Sequence, residues 1–442
     1  MLRKKSEYER EEEAADMLWE KIRTCWLKIC VPIALITAIG GLLGCNHESI
    51  HLEFHEQDEI ELLIPSEPEE KSEDKISDAK KEYNLSVSSV EQQEAEIDCK
   101  RIMESYANIY ENAEKGEALN VVLSDETILQ IQEILKELGC PVTTKIQYAK
   151  MENYEIMDSF LKDCLNKKEG AVVLYEIHDD GGLGRLKFSF DGEDMYVLSA
   201  DAVWNKQNEP VVSYLSHTKI EKWEYTAKGW FCYELCVPDE SEVSEIVDGS
   251  RMVRIVPLSE EQVEFSRKCV MGIGYQGNNL LRSNWDVDHM EQLDFNGLYE
   301  YLYEMKYQER FSLNDPSMGI PREEFENLIM EYLPITEAEI RKYAVFDEEA
   351  ETYAWVRLGA NFTLSFFENS MPEVTKVQKN ADGTITLTVD AVCDKVSYNE
   401  AVITHELTIR LKEDGSFYYL GNQILGDGFD KIPKYSYRVF DE

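Results

Sequence analysis

Residues 381–392 read Ala-Asp-Gly-Thr-Ile-Thr-Leu-Thr-Val-Asp-Ala-Val, and this stretch decides the fold class. Asp382-Gly383 is a turn signal, and from Thr384 onward polar and apolar side chains alternate. A period of two in a segment rich in β-branched residues is typical of a strand that buries one face. The stretch therefore predicts one strand and one tight turn of an antiparallel sheet.

The residues around this stretch predict two helices followed by a series of strands. An amphipathic helix over Arg322–Leu333 follows Pro321, and Thr336-Glu337-Ala338-Glu339 is a capping box that opens a second helix. The predicted strands are Thr352–Leu358, Thr363–Phe367, Glu373–Gln378, Thr384–Val392, Val402–Leu411 and Phe417–Leu420.

The part of the chain before residue 240 shows the same order of elements. The predicted helices cover residues 98–112, Ser124–Leu138 and Glu152–Leu165. The predicted strands are Ala171–Ile177, Arg185–Phe190, Met195–Trp204, Val211–Tyr225 and Trp230–Val237. We therefore predict an α+β fold.

Three landmarks match between the two parts at offsets of 191, 189 and 186 residues. We expect two similar units, each a helix pair packed on an antiparallel sheet, with a cystatin-like or nuclear-transport-factor-like architecture. The alternative is that antiparallel sheets look alike because their turns need Asp-Gly and their strands need aromatic residues. The matched landmarks are Asp191-Gly192 with Asp382-Gly383, Asp201-Ala202-Val203 with Asp390-Ala391-Val392, and residues 228–233 with residues 414–419.

The N-terminal region carries a targeting signal. Three basic residues up to Lys28 precede fifteen uncharged, mostly apolar residues, 29–43. A membrane-spanning helix needs about 20 such residues, whereas a signal-peptide core needs about 7 to 15. Leu42-Leu43-Gly44-Cys45 resembles a bacterial lipobox, which implies lipidation at Cys45. The alternative is an uncleaved anchor, and both interpretations place the rest of the chain outside the membrane.

The residues that follow predict a flexible spacer. Residues 46–98 hold seventeen acidic residues against four lysines, with Pro65 and Pro68 among them. Such a composition buries too little apolar surface to fold by itself. His47, His51 and His55 recur every four residues, but no helix signal surrounds them, so we predict no metal site there.

The segment between the two units contains an acidic cluster with one histidine. Asp286, Asp288, His289 and Glu291 carry side chains that ligate Ca²⁺ or Zn²⁺, yet they depart from the calcium-loop pattern. The alternative is the ordinary negative charge of a helix N-terminus. Residues 272–277 fit G-x-G-x-x-G, but the preceding segment Glu260–Met271 predicts a helix instead of a strand. We therefore predict no cofactor, and these four residues remain candidate metal ligands only.

Composition excludes several classes of function. The chain has 45 basic and 87 acidic residues among 442, a net charge of −42. So acidic a surface repels phosphate backbones, and we expect no nucleic-acid partner. The sequence contains no G-x-S-x-G, H-E-x-x-H or P-loop motif, so no catalytic residue is predicted. Seven cysteines follow Cys45, and this odd number without paired spacing does not predict a disulfide framework.

The C-terminal half resembles a known set of proteins. The resemblance rests on Ile320-Pro321-Arg322-Glu323-Glu324-Phe325, on Tyr353-Ala354-Trp355 and on the opening stretch 381–392. These residues are similar to uncharacterised lipoproteins of gut clostridia, grouped as domain-of-unknown-function family 6070. The resemblance extends over residues from about 100 to 442. It implies no activity and no site residue.

These observations predict a non-enzymatic lipoprotein anchored to the cell membrane, with its folded part extracellular. We expect it to bind a peptide, a glycan or an envelope protein through exposed Trp and Tyr near strand edges or on the helix over residues 295–307. The alternative is a metal-dependent envelope hydrolase that uses the 286–294 cluster. The predicted organisation is a charged extension that is either translated or not (1–16), a signal peptide or anchor (17–44), an acidic tether (45–98), a first unit (99–240), a connecting segment (241–312) and a second unit (313–442).

Overall fold

The structure is a computed structural model that describes most of the chain after residue 81. The predicted extension, the signal segment, Cys45 and the three histidines of the spacer lie outside the described residues. The described residues are 82–116, 120–238, 247–313, 315, 318–359, 365–393 and 401–439.

The folded part begins earlier than the sequence predicts. The tether was predicted to reach residue 98, but helix α1 covers Ser89–Ser105 and starts with a capping box between Ser88 and Glu91. Its buried face includes Ala95, Cys99 and Ile102. The segment is so acidic on average that its composition does not reveal this apolar face. The prediction for residues 82–98 was therefore wrong, because a helix needs only one apolar stripe to pack.

Three further helices and seven strands complete the described part of the N-terminal half. The strands form one sheet in sequence order, in which β1 and β2 run parallel and every other neighbouring pair runs antiparallel. The helices are α2 (Ala107–Asn112), α3 (Asp125–Glu137) and α4 (Tyr154–Leu165). The strands are β1 (Val142–Thr144), β2 (Gly170–Ile177), β3 (Leu183–Phe190), β4 (Met195–Trp204), β5 (Pro210–Tyr225), β6 (Trp230–Leu235) and β7 (Ser250–Arg254).

Helices cover both faces of this sheet. On one face, residues of α1 to α3 such as Ile102 and Leu135 pack in one core with Leu183 of β3. On the other face, α4 packs through Met157 and Leu161 against a second core that contains Phe188 and Phe231. Alternate residues of each strand therefore belong to different cores, as the pleat of a strand requires.

The C-terminal half contains two smaller sheets. The larger has the order β12-β13-β14-β15-β8 and is antiparallel, and the smaller has the order β10-β11-β9. The helices are α5 (Glu260–Phe265), which continues into a π-helical turn at Ser266–Val270, α6 (Phe295–Tyr307), α7 (Arg322–Tyr332), α8 (Glu337–Tyr343) and α9 (Gly428–Lys431). The strands are β8 (Trp285–Asp286), β9 (Ile320–Pro321), β10 (Phe346–Asp347), β11 (Thr352–Tyr353), β12 (Met371–Lys379), β13 (Ile385–Val392), β14 (Thr404–Leu411) and β15 (Phe417–Ile424).

Two sequence predictions for this half need correction. The segment 241–312 was predicted to connect two units, but its residues 265–302 share one core with β12 to β15, and β8 pairs with β15. Of the strand predicted at Thr363–Phe367, residues 363 and 364 lie outside the described residues, and Phe367 belongs to a 3-10 helix, Phe367–Asn369. Both errors arise because apolar residues in a sequence indicate that a segment is buried, but they do not show which secondary structure it adopts or which sheet it packs against.

The two halves meet through ion pairs and a small apolar cluster. Arg254 at the end of β7 pairs with Glu373 of β12, and Lys228 pairs with Asp390 of β13 at 2.7 Å. The side chains of Glu373 and Asp390 are each only 2% exposed. The apolar part consists of Trp230, Cys232 and Val392, with Met252 and Met371 packed against them. The protein is thus a mixed α+β molecule, as predicted.

Candidate functional site

A row of polar residues crosses one face of the first sheet. Glu176 of β2 lies opposite Gly184 of β3, which lies opposite Asp201 of β4, which lies opposite Tyr214 of β5. We call Glu176, Gly184, Asp201 and Tyr214 the polar row. It lies on the face that α4 covers, beyond the apolar positions where that helix packs.

The next row on this face adds two hydroxyl groups. Leu186 lies opposite Ser199, and Ser199 lies opposite Ser216. In the part of the chain that the structure describes, the hydroxyls of Ser199, Ser216 and Tyr214 have no hydrogen-bond partner within the protein. All three side chains are half-buried, so solvent or a ligand satisfies these hydroxyls.

Two basic side chains border the polar row. The Nε2 atom of His178 lies 3.9 Å from Oδ1 of Asp201, and Nζ of Lys145 lies 3.7 Å from Oε1 of Glu176. The imidazole lies over Gly184, since a Cβ atom at that position would stand 2.9 Å from Nε2. A residue without a side chain is therefore what lets His178 approach the carboxylates.

Burial leaves the negative charge of this site only partly balanced. It raises the pKa of the Asp201 carboxyl, and the Glu176 carboxylate adds to the rise, while His178 and Lys145 oppose it. Burial also raises the pKa of the neighbouring Asp179. Carboxylates that are desolvated without full compensation gain from hydrogen-bond donors, so the site favours ligands that donate.

The sequence reading missed this site. It used Asp201 only as a landmark of the repeat. A signal was present: Val172 and Leu174 point into the core, and the next position of the same parity is Glu176. A polar residue that interrupts a buried period of two is the kind of local inconsistency that marks functional sites.

The candidate metal ligands Asp286, Asp288, His289 and Glu291 do not converge on one point. Asp286 and His289 form an exposed pair, with Nδ1 of His289 2.8 Å from Oδ1 of Asp286, and the same oxygen accepts the backbone N–H of Asp288. Among the described residues, no group of three or more His, Cys, Asp or Glu side chains is placed to hold a metal ion. The cluster therefore forms a turn between β8 and the 3-10 helix at Met290–Gln292.

The predicted aromatic contact surface is mostly core. Tyr299 of α6 stacks on Phe325 with ring centroids 5.0 Å apart, and Tyr303 packs against Phe311. Tyr307, at the end of the helix, is 48% exposed. The described tryptophans are buried or half-buried, so none of them presents a fully exposed ring.

A shallow groove between α1 and the strands β4 and β5 contains a cysteine. Burial raises the pKa of the Cys99 thiol to about 12. Since the thiolate is the reactive form, this thiol is inert at neutral pH. The groove is lined by Glu96, Cys99, Lys100, Ala202, Pro210, Val211 and Val212.

The described helices contain none that combines the length and the apolar character needed to cross a membrane. The predicted anchor lies outside these residues.

The fold is that of a mixed α+β protein whose two principal sheets are antiparallel apart from the β1–β2 pair. The chain belongs to a family of unknown function, DUF6070, which it matches over residues 92–438. The family predicted from the C-terminal half is thereby confirmed. No curated protein and no solved structure matches the chain.

Proposed function

We propose that the protein is a membrane-anchored extracellular lipoprotein whose folded part binds a glycan through the polar row. The observation that carries the binding proposal is a set of half-buried hydroxyls and carboxylates on an otherwise apolar sheet face. The hydroxyls of Ser199, Ser216 and Tyr214 have no partner among the described residues, so a ligand that donates and accepts hydrogen bonds can take the place of the water that satisfies them. A peptide or another envelope protein is the alternative ligand.

Charge and geometry favour a sugar over an anionic ligand. Glu176 and Asp201 accept hydrogen bonds, while Ser199, Ser216 and Tyr214 both donate and accept. Sugar hydroxyls also both donate and accept, so one ring can satisfy several of these groups at once. The net charge of −42 opposes the approach of an anion.

Binding to purified cell-wall glycan, measured by co-sedimentation of the protein, tests this proposal. We expect the double variant Glu176→Gln/Asp201→Asn to bind roughly 100-fold more weakly, because hydrogen bonds to charged groups contribute about 1.5 to 3 kcal/mol each. Glu133→Gln, which changes an exposed carboxylate of α3, is the matched control. Equal binding by the double variant and the wild type would exclude the polar row as the site.

The proposed anchor rests on Cys45 and needs its own test. If Cys45 is lipidated, Cys45→Ser abolishes processing, and the protein leaves the membrane fraction. Mass spectrometry of the mature N-terminus and cell fractionation measure both effects. If the wild type keeps residues 1–44 and both forms stay in the membrane, the apolar run is an uncleaved anchor and the lipid is ruled out.

We also propose that the two halves are copies of one unit, with similar sheets. The support is positional: Asp191-Gly192 lies in the turn between β3 and β4, and Asp382-Gly383 lies in the turn between β12 and β13. The other landmarks fall in β4 and β13 and in the turns before β6 and β15.

A further inference from the structure

The C-terminal segment contacts the rest of the protein in the manner of a bound peptide. Residues 432–439 follow α9 and form no helix or strand. Within these described residues, no backbone group forms a hydrogen bond with another backbone group. Side chains hold the segment in place, and two of them, Tyr435 and Arg438, are separated by three positions.

Arg438 occupies a cleft made of backbone carbonyls and one carboxylate. Its Nη2 atom donates to the carbonyl oxygens of Gly277 at 3.2 Å and Gly297 at 3.1 Å, and its Nη1 donates to that of Val356 at 3.0 Å. The same Nη2 lies 2.7 Å from Oε1 of Glu300, and the Arg438 side chain is only 7% exposed. A planar guanidinium fits such a spread of acceptors, whereas a lysine ammonium is a single point charge.

Tyr435 fills the neighbouring part of the cleft. Its hydroxyl donates to Oδ2 of Asp294 at 2.6 Å, and its ring lies 5.4 Å from the guanidinium of Arg282. Arg282 in turn donates to the carbonyl oxygen of Pro433 at 2.6 Å. The body of the protein thus provides a carboxylate for the tyrosine hydroxyl, and Arg282 provides both a donor to the backbone and a cation beside the tyrosine ring. Together with the Arg438 site, these groups suit a chain in which arginine follows tyrosine by three positions.

Two glycines shape this cleft. A Cβ atom on Gly297 would stand 2.6 Å from the carbonyl oxygen of Gly277, and one on Gly277 would stand 2.5 Å from the Tyr301 hydroxyl. Without side chains here, the backbones of the 272–277 loop and of α6 approach closely, and both carbonyls face Arg438. The glycine-rich loop 272–277 thus contributes to a binding site for a guanidinium group. Its G-x-G-x-x-G spacing, which is typical of dinucleotide sites, does not predict this role.

We propose that this cleft is a recognition site for peptides that carry tyrosine three residues before arginine, and that the C-terminal segment of the chain occupies it in cis. A segment held by two side chains and by the carbonyl oxygen of Pro433, with no backbone ladder, exchanges without unfolding a sheet. A partner protein presenting the same Tyr-x-x-Arg spacing competes with the segment for the cleft. The glycan site on the first sheet is separate from this function.

Fluorescence anisotropy of a labelled peptide with the sequence of residues 432–439 tests the proposal on the full chain. In the variant Tyr435→Ala/Arg438→Ala, the cis competitor is weakened. Because a tethered competitor acts at about millimolar effective concentration, we expect this variant to bind the peptide at least about tenfold more tightly than the wild type. Arg438→Ala alone provides a milder second receptor if the double variant unfolds.

Matched controls separate recognition from general adhesion. Tyr307, at the far end of α6, is 48% exposed, so Tyr307→Ala in the full chain should bind the peptide as the wild type does. A peptide with lysine in place of arginine should bind at least about tenfold more weakly to the weakened receptors. The proposal is overturned if neither receptor binds the peptide, or if both bind the arginine and lysine peptides equally.

Discussion

Gly229 and Gly415 adopt nearly the same left-handed φ but differ in their surroundings. Gly229 precedes β6 with φ +85°, and Gly415 precedes β15 with φ +84°. A Cβ atom on Gly229 would stand 2.5 Å from Cβ of Val256, whereas one on Gly415 would meet nothing within 4 Å. The pair therefore separates the cost of a left-handed backbone from the cost of crowding.

We expect Gly415→Ala to lower the free energy of unfolding by about 1 to 2 kcal/mol, the cost of a left-handed conformation for a residue with a Cβ atom. Gly229→Ala should lower the free energy of unfolding by roughly a further 1 to 3 kcal/mol, because the added atom overpacks the turn. Urea unfolding measures both. Equal losses would show that Val256 moves aside without cost.

At the scale of the element, local signals predicted helices well where the ends were marked. The capping box of Thr336 and Glu339 opens α8, as predicted, and Ser124 caps α3 at the start of the predicted helix Ser124–Leu138. The start of α1 was missed, although Ser88 and Glu91 form the same motif. A capping box forms between residues three positions apart, so the sequence alone can predict it. The one before α1 was missed because the acidic composition of that segment was taken to indicate a flexible tether.

Short strands could not be predicted in this way. β8 has two residues, and its partners Gly421 and Asn422 lie far along the chain. Gly421 permits the pairing, since a Cβ atom there would stand 2.9 Å from the carbonyl oxygen of Trp285. A two-residue strand has no period, so only its distant partner defines it.

At the scale of the whole molecule, the junction between the halves rests on buried carboxylates. The guanidinium of Arg254 pairs with Glu373 and lies 4.4 Å from the ring of Trp230. Burial raises the pKa of Glu373, while Arg254 lowers it. Removing the arginine leaves an unpaired buried charge, whereas removing both charges leaves none.

We expect Arg254→Leu to reduce the free energy of unfolding by about 3 to 5 kcal/mol at pH 7. The free energy of unfolding of the double variant Arg254→Leu/Glu373→Leu should fall by less than that of Arg254→Leu, because no unpaired charge remains from the pair. Because the folded state of Arg254→Leu favours protonated Glu373, its deficit relative to the wild type should shrink as the pH falls from about 7 towards about 5. Chemical denaturation at each pH measures this deficit in the free energy of unfolding. A deficit that does not change with pH would show that the lost interaction is packing on Trp230.

The sequence by itself determined the fold class, the family and most long elements of this protein. These depend on periodicity, caps and turns, which act between residues close in the chain. The tertiary structure decided where the halves divide, which aromatic residues are core, and which polar residues meet. Glu176, Asp201 and Tyr214 form one row only because strand register places them opposite one another. Arg438 meets Gly277 and Gly297 only after the chain has folded, since those contacts span 161 and 141 residues.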